Sequence, residues 1–186
     1  AKIQVDNIVN TLSQASPQAK DAFTAAGKKY TDQLEDLDKW ASDSMSAVPE
    51  QDRVLFSSHD AFGYFSNEYG VKFIGSALSD FNHQQDATSS HIDEQVKKVR
   101  ESGAKAIFAE NSNSSKSIEA IARAAGVKAV TSDDALYGDS LGVPGSEGET
   151  YIGSIVHNIN TLVSAWDSKQ QPLPESLQEF DFAKRK

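Results

Sequence analysis

Apolar positions recur every three or four residues over the first quarter of the chain, the spacing of one helical face. Ile3, Val5, Ile8, Val9 and Leu12 form a first short series. Ser16-Pro17 then marks a fresh helix start, with serine at the N-cap and proline at the first helical position. Beyond it Ala19, Ala22, Phe23, Ala26, Tyr30, Leu34, Leu37, Ala41, Met45 and Val48 keep helical spacing, with Lys20, Lys28, Lys29, Glu35 and Asp36 between them. The pattern predicts an amphipathic helix of about 30 residues, roughly 45 Å long. A helix of that length bridges two bodies or lies along one face of a domain.

Pro49 ends this pattern, and short apolar runs take over. Val54-Leu55-Phe56, Val71-Lys72-Phe73-Ile74, Ala106-Ile107-Phe108-Ala109 and Val127-Lys128-Ala129-Val130 read as strands. Helical segments are expected over 60–69, 91–102 and 115–125, the last two closed by Gly103 and Gly126. Strands alternating with helices predict an α/β fold: a parallel four-stranded sheet with flanking helices, preceded by one long linking α-helix. A turn-rich segment, 131–149, leads to a last helix from Thr150 to Trp166, and Pro172 and Pro174 break into a tail. The expected division is a helical segment over 1–48, an α/β lobe over 49–169 and an irregular tail over 170–186.

Composition narrows the function. The 186 residues carry a formal net charge of −9, which repels phosphate backbones and excludes nucleic acid as an expected partner. The one basic run, Lys184-Arg185-Lys186, reads as a solvated tail. Cysteine is absent, so thiolate metal sites, disulfides and cysteine catalysis are excluded. No apolar stretch reaches the roughly 18 residues of a membrane span. The opening Ala1-Lys2-Ile3-Gln4 has no signal-peptide pattern, so the chain is either cytosolic or follows a leader outside these residues.

Ligands of open parallel sheets bind beyond the carboxyl ends of the strands. Two polar segments sit there: Ser57-Ser58-His59-Asp60 after the first strand, and Asp133 to Ser140 after the fourth. Imidazole nitrogen and carboxylate oxygen both ligate zinc and manganese, so a histidine and an aspartate meeting at that edge make half of a divalent-metal site. A strand-end histidine equally serves as a hydrogen-bonded structural residue, and aspartates in turns as caps. Adjacent Ser58, His59 and Asp60 point to different sides and do not form a catalytic relay. Glu110, after the third strand, reaches toward the same edge or opens the following loop. His83, His91 and His157 read as structural or solvent-facing. No glycine-rich phosphate cradle follows any strand.

Ser58-His59-Asp60-Ala61-Phe62-Gly63-Tyr64-Phe65, followed by Glu68-Tyr69-Gly70-Val71, resembles the metal-specific solute-binding proteins of zinc and manganese ABC importers. Ile107-Phe108-Ala109-Glu110, Ile121 to Val127, Leu136 to Gly142, and Thr150-Tyr151-Ile152 with His157-Asn158 extend the resemblance to about Trp166. It implies two α/β lobes joined by a rigid helix, a cation held between them, and no enzyme. Carried over by motif, His59 and Asp139 are the two metal ligands of a C-terminal lobe, and residues 17–48 the linking helix. The N-terminal lobe, with two further histidines, would lie outside this chain. The implied cargo is Zn2+, with Mn2+ second. The implied partners are an ABC permease and the missing lobe. The implied location is extracytoplasmic, periplasmic or at the cell surface through a lipid anchor beyond this chain. Two rivals are a metal-dependent α/β hydrolase using His59, Asp60 and Asp139, and a cell-adhesion module with a vestigial site.

Overall fold

The computed structural model describes residues 1–78 and 89–182. His83, the side chain of His91, most of the polar connection from Ser79 and the Lys184-Arg185-Lys186 run lie outside the described residues. Among the described residues, no helix is long and apolar enough to cross a membrane.

The chain forms two compact units, the first comprising Ala1–Trp40 with Pro172–Lys186. Helix α1 runs over Lys2–Ala15, and a 3-10 turn over Pro17–Ala19 leads into the long helix α2, Lys20–Ser46, whose last turns belong to the second unit. A side chain in place of the hydrogen at Gly27 would sit 2.4 Å from Val9 Cγ2, so the glycine lets α2 approach α1 closely. The stretch expected as an irregular tail holds a 3-10 helix over Glu175–Phe180 with Leu177 fully buried. Gln33 Nε2 fastens it, donating to Ser176 O at 3.1 Å and to Glu179 Oε1 at 2.9 Å.

The second unit, Ala41–Gln171, holds the α/β elements. In order they are β1 (Val54–Ser57), α3 (Gly63–Glu68), β2 (Lys72–Ser76), α4 (Ser89–Ser102), β3 (Ala106–Phe108), α5 (Lys116–Ala125), β4 (Lys128–Val130) and α6 (Tyr151–Ala165). The expected α/β fold with flanking helices and a long helix is present, but its sheet differs. The four strands pair two by two, β1 with β2 and β3 with β4, both parallel, rather than as one four-stranded ladder. β1 lies beside β3. Just past the strand ends, side-chain-to-backbone bonds take the place of a ladder: Glu110 N donates to Ser58 Oγ at 3.2 Å, and His59 N to Glu110 Oε1 at 3.0 Å.

Burial explains the apolar runs. Every residue of β1 and β3 is buried, as expected of strands covered on both faces. Phe56, Ile107, Val99, Ile118 and Ile121 share one core cluster. Trp166, at the end of α6, is fully buried, stacks edge-on against Phe108 with ring centroids 6.3 Å apart, and donates Nε1–H to Val54 O at 3.1 Å. α6 is thereby fixed to β1 and β3, whose carboxyl ends lead into His59 and Glu110. At its other end Thr150 caps the helix, its Oγ1 accepting from Gly153 N at 3.0 Å.

Candidate metal centre

Pairing continues past the strand ends and sets the edge where the side chains gather. Ala77 N and Leu78 N donate to Ser57 O and Ser58 O, and Glu110 bridges in parallel to Leu136. Chain segments bearing His59, Glu110 and Asp139 are therefore brought side by side, although they lie far apart in sequence.

His59 is 5% exposed and sits between two carboxylates. Its Nδ1 lies 2.6 Å from Glu110 Oε2, and its Nε2 lies 2.7 Å from Asp139 Oδ2. The two carboxylates differ in kind. The Glu110 side chain is wholly buried, whereas that of Asp139 is 45% exposed. Asn113 Nδ2 adds a 3.1 Å contact to Nδ1. The backbone beneath the ring is tied down as well, since Ser57 Oγ donates to His59 O at 2.6 Å.

Burial pushes the Glu110 carboxyl above the usual carboxylate range, and the negative charge of Asp139 adds to this. The hydrogen bond from His59 N, the positive charge His59 can carry and the bond with Ser57 pull the other way without prevailing. A buried carboxylate beside one ring nitrogen is the arrangement that selects a histidine tautomer: with the proton on Nδ1, toward Glu110, Nε2 would be left to a cation on the Asp139 side.

The loop carrying Asp139 fits closely against this pair. A Cβ at Gly138 would lie 2.8 Å from Glu110 Oε2, so a side chain there would have to displace the Glu110 carboxylate. Asn111 Nδ2 donates to Ser140 Oγ at 2.9 Å and to Ser140 O at 3.2 Å, securing the residue after Asp139.

The structure thus brings together His59 and Asp139, the two residues singled out in the sequence, and adds Glu110 on the opposite side of the ring. Glu110 was marked in the sequence by its place at a strand end and within the Ile107–Glu110 stretch of the resemblance, neither of which assigned it a role. Asp60, Asp133 and Asp134 are exposed, and no Ser-His-Asp relay is formed. His157 is buried, with Nδ1 2.9 Å from Glu147 Oε2 and Nε2 3.1 Å from Ala135 O, so both ring nitrogens are turned to protein oxygens. Among the described residues, no group of three or more His, Asp or Glu is placed to hold a metal ion. What the edge offers a cation is one nitrogen and one carboxylate oxygen.

A family model described as zinc-uptake complex component A, periplasmic, matches residues 1–165. The manganese-binding lipoprotein MntA of Bacillus subtilis is 41% identical over 163 residues, covering 87% of this chain and 53% of that protein. The zinc-binding protein TroA of Treponema pallidum is 31% identical over 163 residues, 87% of this chain and 52% of that protein. A solved structure of the periplasmic zinc-binding TroA superposes with a TM-score of 0.77 at 30% identity, covering 88% of this chain and 59% of that one. The chain spans about half the length of the curated relatives it matches.

Proposed function

Since the chain belongs to the ZnuA family of metal-binding solute-binding proteins of ABC importers, we propose that it is the C-terminal lobe of such a protein and supplies two ligands, His59 Nε2 and Asp139, to a captured divalent cation. The observation that carries this reading is the 2.7 Å approach of a buried imidazole and a half-exposed carboxylate at the strand-end edge. The protein is extracytoplasmic, as its lipoprotein and periplasmic relatives are. It captures and delivers without catalysis, handing the ion to an ABC permease.

A cation entering between these donors must part them. Two ligands each about 2.1 Å from a tetrahedral ion stand roughly 3.4 Å from one another. The Asp139 loop is the side that gives way, because His59 is held between strand ends and a buried partner whereas Asp139 faces solvent. Residues 17–48 serve as the linking helix, and the remaining ligands come from the other lobe.

Zinc is the favoured cargo and manganese the second, because a nitrogen donor suits zinc better than it suits manganese. The relatives include proteins named for each. The hydrolase alternative lacks a general base poised over an open coordination position, since Glu110 is spent on the imidazole. The adhesion reading draws no support from these relatives.

Two protein ligands fall short of the four of a closed zinc site. The chain by itself is expected to bind Zn2+ no tighter than about 1 μM, or ~8 kcal/mol. Isothermal calorimetry checks this. Nanomolar one-to-one binding would mean that further donors exist, and the two-ligand reading would fall.

A further inference from the structure

The loop that carries Asp139 is held from behind by the last helix. Asn158, on α6 and 1% exposed, meets Tyr137 with both ends of its amide. Tyr137 N donates to Asn158 Oδ1 at 2.8 Å, and Asn158 Nδ2 donates to Tyr137 O at 2.8 Å. An asparagine side chain here does what a neighbouring strand would do, satisfying the donor and the acceptor of one residue at once. That residue lies two positions before Asp139.

The rest of the loop wraps around the Tyr137 side chain. A Cβ at Gly148 would fall 2.3–2.5 Å from three atoms of its ring, and one at Gly142 would fall 3.0 Å from the same ring. Gly142 N donates to Gly148 O at 2.8 Å, closing the turn across the ring. His157, next to Asn158 on α6, packs edge-on against Tyr137 with centroids 4.9 Å apart and also reaches Glu147 and Ala135 O. Since Trp166 anchors the far end of α6 beneath β1, the helix ties the Asp139 loop to the strand that ends in His59.

We infer that Asn158 is a positioning residue for cation capture, holding the Tyr137 backbone so that Asp139 is presented to His59 before any ion arrives. This rests on the proposal that His59 and Asp139 are the ligands. Without the amide clamp, Tyr137 loses both backbone partners, and Asp139 samples positions away from Nε2. The cation must then pay the ordering of the loop, which lowers its apparent affinity.

A double-mutant cycle tests this with the whole chain, using Zn2+ alone as the probe and following the His59 imidazole by NMR during titration. Asp139→Ala should weaken binding, and Asn158→Ala should weaken it by about tenfold, the low end for groups that orient a ligand. In the Asp139→Ala background, Asn158→Ala should have no further effect, because its action passes through the aspartate. Asn158→Asp keeps an acceptor for Tyr137 N but repels Tyr137 O, so it should fall between the parent and alanine. It also carries the cycle if Asn158→Ala does not fold. An Asp139→Ala variant that binds as the parent does would overturn the ligand assignment itself. With that assignment standing, Asn158 variants that bind normally, or that weaken binding equally in both backgrounds, would overturn the positioning role.

Discussion

Glu110→Gln is expected to leave the chain folded and to cost it most of its zinc binding. The amide has nearly the shape of the carboxylate, so the buried space stays filled. Its chemistry is reversed. With its oxygen still accepting from His59 N, the amide NH2 is turned toward Nδ1 and donates there, which moves the imidazole proton to Nε2. The nitrogen facing Asp139 then has no lone pair for a cation. Loss of an outer partner of this kind lowers metal affinity by about 10–100-fold. Glu110→Ala should be worse for the fold, by roughly 2–4 kcal/mol, because it leaves His59 N and a buried ring nitrogen without their acceptor. Urea unfolding beside zinc titration separates the two effects. A glutamine variant with parental zinc affinity would show that Glu110 does not set the tautomer.

His59→Ala removes the nitrogen donor altogether, and zinc affinity is expected to fall by about 100-fold, roughly 3 kcal/mol. It also leaves Glu110, whose carboxyl lies in the interior, without the ring it packs against. Glu110 accordingly stays protonated to higher pH in this variant than in the parent, because the imidazole charge that lowers its pKa is gone, although the backbone N–H of position 59 still donates to it. Calorimetry of the variant, alongside the parent, checks the binding loss. Retained affinity would remove His59 from the ligand set.

Much of this fold was open to reading from periodicity alone. The long helix announces itself through apolar residues from Ala22 to Met45, and the α/β alternation through four apolar runs set off by polar turns and by glycines such as Gly103 and Gly126. The pairing of strands was not open in the same way. Whether β1 and β3 share a ladder depends on backbone positions tens of residues apart, and the seam between them is instead bridged by Ser58 and Glu110.

The site was legible in unequal parts. His59 and Asp139 stand at strand ends, where ligands gather in such sheets, yet their pairing came from the resemblance of Ser58–Phe65 and Leu136–Gly142 to a known family. Spacing alone, 80 residues apart, says nothing of a shared edge. Glu110 was visible as a carboxylate after a strand, at the end of the Ile107–Glu110 stretch of the resemblance, but with no role attached. Its decisive property, complete burial against Nδ1, arises from packing. Asn158 is harder still, since an asparagine within an apolar helix face carries no mark of the backbone it will meet. Its neighbour His157 illustrates the converse: a histidine in a motif, read as structural, whose ring nitrogens both face protein oxygens.

The ligand pair itself can be watched directly through the four histidines of the chain. Long-range 1H–15N spectra, recorded as Zn2+ is added, resolve each imidazole nitrogen by its chemical shift. Zinc should move the His59 Nε2 resonance to a metal-bound position, leave His157 in place, and do so far less readily in Asp139→Ala. A His59 ring that stays unchanged while zinc saturates the chain, or that responds identically without the aspartate, would contradict the shared grip of residues 59 and 139 on one ion.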